Sequence, residues 1–169
     1  IVRAADGSAW TWGRNDYGQV GDGTTVNRLT PLRLPALLGA TAVGAGALHS
    51  MAVTTDGVAY AWGGNWGGQL GDGTLVSRLT PKAVASGLMG VTQIAAGYEH
   101  SVARLRSGGV MTWGANWAGQ LGTGTRSYRY APAVTPGLSQ VVSLAVGSSH
   151  TLALTSDGNV TSFGNNANG

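Results

Sequence analysis

The residues best suited to chemistry in this chain are His49, His100 and His150, the first two of which are followed by a serine, Ser50 and Ser101. A zinc site needs three or four ligands about 2.3 Å or less from one point. These histidines instead fall at matching places in a periodic sequence, with no cysteine in the chain and, apart from Glu99 beside His100, no carboxylate closely spaced to them. Periodic placement predicts a structural role for each, with the ring bonded to backbone. A nucleophilic pair of His49 with Ser50, or of His100 with Ser101, is disfavoured because neighbours along a strand point to opposite faces. General acid–base work calls for paired carboxylates. Asp6, Asp56 and Asp157 read as turn residues, and Asp22 and Asp72 as loop residues in register, which leaves only Asp16 and Glu99 outside the pattern. The runs Gly21-Asp22-Gly23 and Gly71-Asp72-Gly73 lack the lysine and the following helix of a phosphate loop. One aspartate per loop is thin for calcium. The expectation is therefore no catalytic residue, no cofactor and no metal.

The elements that position these residues repeat. Trp12-Gly13, Trp62-Gly63, Trp113-Gly114 and Phe163-Gly164 are spaced 50, 51 and 50 residues apart. Asn15, Asn65, Asn116 and Asn166 follow the aromatic residue, and then come Gly18-Gln19, Gly68-Gln69 and Gly119-Gln120, with Gly21, Gly71 and Gly122 just beyond. Arg28, Arg78 and Arg129 precede Pro31, Pro81 and Pro132. Gly46-x-x-His49, Gly97-x-x-His100 and Gly147-x-x-His150 complete the unit. Asp56-Gly57 is a tight-turn pair between two runs of strand formers, His49–Val53 and Val58–Trp62, and predicts a β-hairpin. The same hairpin recurs around Gly7, Gly108 and Gly158. Short apolar runs at Thr41–Val43, Val91–Ile94 and Val141–Leu144 supply a third strand. A fourth is expected just after each proline, as at Lys82–Val84 and Ala133–Val134. No stretch carries capped helical periodicity.

Four short antiparallel strands in about 50 residues is the arithmetic of a β-propeller blade. The fold class expected is all-β: about three blades plus a hairpin, as one partial array over 1–169, with units of approximately 1–50, 51–101, 102–151 and a partial 152–169. The aromatic residues Trp12, Trp62, Trp113 and Phe163 are expected to fill the space between neighbouring blades. Composition agrees: 29 of 169 residues are Gly, far above the usual ~7%, and only 10% are charged. Ample apolar content with little charge argues against disorder. A net charge of +3 is too small for a strong nucleic-acid field. No run of ~18 apolar residues spans a membrane, and no basic stretch precedes an apolar one as a signal peptide would require. The absence of cysteine leaves the redox compartment open.

The pattern W-G-x-N-x-x-G-Q-x-G, then R-x-x-P, G-x-x-H and the D-G hairpin, resembles the repeat of the regulator of chromosome condensation family over essentially the whole chain. Near-identical Gly-Asp-Gly-Thr loops at 21–24 and 71–74 make it more similar to bacterial members. The departures are Ser107 before Gly108, Phe163 in place of Trp, and Thr123 where Asp22 and Asp72 stand. The resemblance implies a seven-bladed propeller, which needs about 350 residues. The chain begins at the equivalent of Met51 and ends at that of Gly119, so it reads as part of a longer array, with ring completion by further copies as the alternative. Family members include a chromatin-bound nucleotide exchange factor, a light receptor and a secreted β-lactamase inhibitor. Sparse charge and the lack of a basic arm argue against the chromatin role.

Positions that vary within a repeated frame mark where a scaffold has been adapted. Arg28, Arg78 and Arg129 are periodic and read as blade-to-loop hydrogen bonds, with a ring of positive charge as the sharper alternative. The variable positions Arg14, Tyr17, Trp66, Tyr98, Glu99, Trp117 and Tyr128 form a set of the kind enriched at protein interfaces; the plainer alternative is that Trp66 and Trp117 pack on the next blade. The function expected is a non-catalytic binding scaffold whose loops meet a protein partner. The alternatives are self-association into a homo-oligomeric ring, a secreted inhibitor or adhesin, and a carbohydrate-binding module. Low lysine with abundant Gly, Ser and Thr fits a secreted or cell-surface bacterial protein.

Overall fold

The computed structural model describes residues 1–85 and 88–167. They form fourteen strands in four antiparallel sheets. The first sheet holds β1 (Val2–Arg3), β2 (Ala9–Gly13) and β3 (Arg28–Arg33). The second holds β4 (Ala40–Ala45), β5 (His49–Thr54), β6 (Ala59–Gly63) and β7 (Arg78–Ala83). The third holds β8 (Val91–Ala96), β9 (His100–Leu105), β10 (Val110–Gly114) and β11 (Arg129–Val134). The fourth holds β12 (Val141–Val146), β13 (His150–Thr155) and β14 (Val160–Gly164). Strands within each sheet follow chain order. This is the all-β partial propeller that the repeat arithmetic requires. Two four-stranded blades are complete, and among the described residues the first sheet lacks an innermost strand and the last an outermost one. No helix of the described residues is long and apolar enough to cross a membrane.

Every hairpin forms where its turn glycine stands. Asp56 caps its turn by accepting the Thr54 hydroxyl and the Val58 N–H at 2.5 and 3.2 Å, an Asx-type turn. The fourth strand departs from expectation. It begins at the arginine, three residues before the proline, rather than after it. The register explains this: Ala61 pairs with Lys82 and Gly63 with Arg78, so Leu79-Thr80-Pro81 lie opposite the single residue Trp62. Proline is tolerated there because an edge strand at a ladder irregularity demands no N–H from it.

The core is divided into slabs between neighbouring sheets rather than gathered in one place. Ala9, Leu34, Leu37, Ala52 and Trp62 fill the first interface. Met51, Val53, Leu70, Ile94, Ala103 and Trp113 belong to the second, and Val102, Val110, Val141, Leu144 and Ala153 to the third. A single blade is too thin to bury its own faces, so stability comes from stacking neighbours. Inter-sheet contact is concentrated on β4, β8 and β12, the innermost strands.

Candidate functional site

The repeated residues are the joints between blades. Each glutamine aims its backbone carbonyl at the next blade. The Gln19 carbonyl accepts the Trp62 indole N–H at 3.0 Å and the Ser50 hydroxyl at 2.8 Å. The Gln69 carbonyl likewise accepts Trp113 Nε1–H at 2.9 Å and Ser101 Oγ–H at 2.8 Å, and the Gln120 carbonyl accepts Thr151 Oγ1–H at 3.0 Å. Trp62 and Trp113 are fully buried by this contact. Gly71 shows why no larger residue fits beside the indole: its φ is +68°, and an added Cβ would sit 2.6 Å from Trp113 Nε1.

The histidines finish the joint and correct the expectation of a backbone partner. His49 Nε2 lies 2.8 Å from Ser101 Oγ, and His100 Nε2 lies 3.2 Å from Thr151 Oγ1. Both partners are hydroxyls of the following blade. Since each hydroxyl already donates to a glutamine carbonyl, it can only accept here, so Nε2 carries the ring proton. Nδ1 of His49 and of His100 is buried without a partner, and a Cβ on Gly46 would lie 2.8 Å from His49 Nδ1. That contact accounts for the Gly-x-x-His spacing. Burial pushes the His49 pKa down to about 3, with His100 adding to the effect; His100 falls to about 4, again through burial first and then through His150. A serine and a histidine do meet, but His49 and Ser101 are both fully buried, and the hydroxyl is committed to a carbonyl. They form a structural clasp. Among the described residues no cluster of His, Cys, Asp or Glu is arranged to hold a metal.

The loop that follows each aromatic is held from within. Asn65 Nδ2 donates to the carbonyls of Thr74 and Val76 at 3.0 and 3.1 Å, while its Oδ1 accepts the Leu70 N–H at 2.9 Å. Asn15 and Asn116 do the same in their repeats. Asp22 accepts the N–H and hydroxyl of Thr24 at 2.9 and 2.7 Å and the Arg28 Nε–H at 2.5 Å. Burial opposes its ionisation, but the Thr24 bonds and Arg28 outweigh that and bring its pKa to about 2. Arg28 and Arg78 are thus tied to aspartates of their own loops.

All seven variable residues lie on one rim. Tyr98 and Glu99 sit in the turn between β8 and β9, and Arg14, Tyr17, Trp66, Trp117 and Tyr128 lie in the long loops after β2, β6 and β10. Strand alternation sends both kinds of loop out of the same end of the blades. Tyr17 and Trp66, from adjacent blades, meet edge to face with ring centroids 4.7 Å apart. Arg14 lies over the Tyr17 ring at 5.8 Å and is paired with Asp16 at 2.6 Å. Trp66 therefore leans on the preceding blade and remains 51% exposed. Trp117, Tyr98 and Tyr128 are also exposed and make no aromatic pair among the described residues. Glu99 is half-buried, and its backbone carbonyl accepts the Ala115 N–H at 2.8 Å. Sequence reasoning gave Asp16 no part in this group. Its signal was that it broke the repeat two residues after Arg14, within reach of an opposite charge.

The open sides of the arc differ from its joints. Trp12 is 43% exposed, whereas its counterparts Trp62 and Trp113 are fully buried, and Leu29 is 95% exposed where Leu79 packs over Gly18 of the preceding blade. His150 is exposed where His49 and His100 are buried.

Four-stranded antiparallel blades joined in this way define a repeat β-propeller. The chain belongs to the regulator of chromosome condensation (RCC1) repeat family, whose repeat model matches residues 6–53, 56–104 and 107–154; a second model of the same repeat matches 40–69, 91–120 and 141–169. It is 34% identical over 133 residues to the E3 ubiquitin-protein ligase HERC2 of Homo sapiens, covering 76% of this chain and 3% of the ligase. It is 38% identical over 118 residues to the ultraviolet-B receptor UVR8 of Arabidopsis thaliana, covering 68% of this chain and 27% of the receptor. Among solved structures it is similar to human WBSCR16, with a TM-score of 0.80 at 26% identity, over 92% of this chain and 42% of that one. It is also similar to yeast RCC1 (Prp20) as bound to Kap60, with a TM-score of 0.79 at 25% identity, over 95% of this chain and 38% of that one. The chain thus spans well under half the length of each of these proteins.

Proposed function

We propose that this chain is part of a non-catalytic propeller that binds a protein partner through the rim carrying Arg14, Tyr17, Trp66, Tyr98, Glu99, Trp117 and Tyr128. One contrast carries the reading. The repeated tryptophans Trp62 and Trp113 are wholly buried in joints, while Trp66 and Trp117, which vary between repeats, stand exposed on one end of the blades. Large aromatic residues kept at the surface of a rigid scaffold are the composition of an interface centre. The structure of a similar propeller in complex with Kap60 supports a protein as the partner class. A photo-cross-linking amino acid placed at Trp66, and separately at Arg106 in the exposed turn at the opposite end of the blades, tests this in the native cellular setting. A discrete adduct from position 66, absent from position 106 and lost on Trp117→Ala, supports the rim; equal adducts from both positions refute it.

A second reading has its own observation. Trp12 is exposed at the leading flank where its counterparts Trp62 and Trp113 are covered by a neighbouring blade, and Leu29 is far more exposed there than Leu79, which packs against Gly18. That flank fits a further blade of the same repeat, from the same chain or from a second copy. Light scattering over a dilution series decides whether copies of this chain supply it.

A further inference from the structure

The third complete loop differs from the first two at one charged position. In the second blade Asp72 Oδ1 accepts the Thr74 N–H and hydroxyl at 3.0 and 2.6 Å, while Oδ2 accepts Arg78 Nε–H and Nη2–H at 2.9 and 2.7 Å. The first blade repeats this with Asp22, Thr24 and Arg28. In the third, Thr123 replaces the aspartate, yet the loop keeps its shape: Asn116 still holds the carbonyls of Thr125 and Ser127 at 2.9 and 3.0 Å. Thr123 Oγ1 takes over the first carboxylate oxygen, 3.3 Å from Asn116 Nδ2 and 3.1 Å from Thr125 Oγ1. Nothing takes over the second. Arg129 still begins its strand as Arg78 does, but it has turned Nη1 to the carbonyls of Ala133 and Val134 at 3.3 and 3.2 Å. Its Nε–H and Nη2–H, the donors that Arg78 gives to Asp72, have no acceptor among the described residues. Arg126 beside it is exposed, as are Tyr128 and Tyr130, and among the described residues neither arginine has an acidic partner.

We propose that the loop Thr123–Tyr130 receives a carboxylate side chain of a protein partner, which Arg129 holds where Asp22 and Asp72 sit in the other blades. The two intact loops show the ligand class directly, since this cradle closes on a carboxylate whenever the chain supplies one. Arg126 adds a second positive charge, and Tyr128 provides an amphipathic wall. A nucleic acid is the poorer fit, because one loop with two guanidiniums neutralises about two phosphates, too few to supply useful affinity at physiological salt. The inference rests on the protein-binding reading above and gives it an acidic partner surface.

The test is a side-chain NMR titration of the chain with an acetylated, amidated hexaglutamate peptide at low salt, following the arginine Nε–H signals. The Arg129 signal is expected to move and saturate, while those of Arg28 and Arg78, already occupied, stay in place. Thr123→Asp supplies the missing carboxylate within the chain and is compatible with the loop, as the first two blades show. It is expected to weaken binding about tenfold or more, the scale of a charge-assisted hydrogen bond. Three results overturn the inference: a flat titration, equal movement of all three arginines, or unchanged binding by Thr123→Asp. Tighter binding of a hexathymidylate strand than of hexaglutamate also overturns it, in favour of a nucleic acid. Because the peptide carries no group that needs the aromatic rim, a flat titration leaves the cross-linking result at Trp66 to be judged separately.

Discussion

Lowering the pH from 7 to 5 should loosen the joints between blades, and the size of the effect follows from two buried rings. His49 and His100 are held neutral in the folded chain, with pKa values of about 3 and about 4 against an ordinary 6.5. A proton added at Nδ1, which Gly46 or Gly97 approaches closely, would find no acceptor. As the pH falls through 6.5, the unfolded chain takes up these protons and the folded chain does not. The contribution of each ring is complete above pH 6.5 and is lost progressively as the pH falls towards 3 or 4. At pH 5 the unfolded form of each histidine is favoured by about 2 kcal/mol, from 1.36 kcal/mol per pH unit, so the pair costs about 4 kcal/mol. The figure scarcely depends on whether a folded pKa is 3 or 4, because both lie below the measuring pH. The aspartates with shifted pKa values are lowered from 3.8 and act only below about pH 4; the Ile1 amino group, lowered from 8.0 by burial, adds a loss of the same sign that begins near pH 8, and acetylating it isolates the histidines. Urea unfolding at pH 7, 6 and 5 reads the loss, and His100→Gln should remove about half of the slope. Nitrogen-15 shifts of the two rings at pH 5 provide the direct check: neutral rings protonated at Nε2 are expected. Imidazolium shifts at pH 5 in the folded chain, or a stability flat between pH 7 and 5, would refute the reasoning.

Three further outcomes are expected. Gly71→Ala places a Cβ against the Trp113 indole at a φ of +68°, whereas Gly73→Ala at +79° meets nothing within 4 Å; thermal unfolding should show a loss of about 1–2 kcal/mol for the second and at least ~2 kcal/mol more for the first. Trp113→Phe leaves the Gln69 carbonyl with only the Ser101 hydroxyl and should cost about 1–2 kcal/mol in urea, while Trp66→Ala on the exposed rim should change stability by less than ~1 kcal/mol. Gln140 has a φ of +56° where the preceding repeats have Gly39 and Gly90, so Gln140→Gly should stabilise the chain by about 0.5–1 kcal/mol; an unchanged melting temperature would show that the side chain offsets the strain.

Features set by near neighbours were legible from residue order. The Asp-Gly turns and the flanking strands each lie within a short window, and their recurrence about every 50 residues defines the blades. Features set across blades were not. His49 and Ser101 stand 52 residues apart, and no spacing in the sequence says that a histidine reaches past its own neighbour, Ser50, to the serine one period on. The start of the outer strand was misplaced because proline is a strong local signal, whereas the register that makes room for it depends on Trp62 across the sheet. The variable positions could be picked out from the repeat, but the Tyr17–Trp66 contact depends on the angle between blades. The replacement of Asp by Thr123 was visible from the start, and its effect on Arg129 became evident only once Asp72 and Arg78 were seen in contact.

The joints also have a polarity. Trp62 and Ser50 reach back to the Gln19 carbonyl, and Trp113 and Ser101 reach back to that of Gln69, while each histidine reaches forward to the next hydroxyl. Each complete blade presents an indole and a hydroxyl on one side and a glutamine carbonyl and a histidine on the other, as a polymer has a head and a tail. A unit inserted, deleted or shuffled at a repeat boundary meets the same chemical groups on both sides and needs no new interface. Blade number can therefore drift by duplication without redesign of the joints, while changes in the rim loops leave the coupling between units untouched.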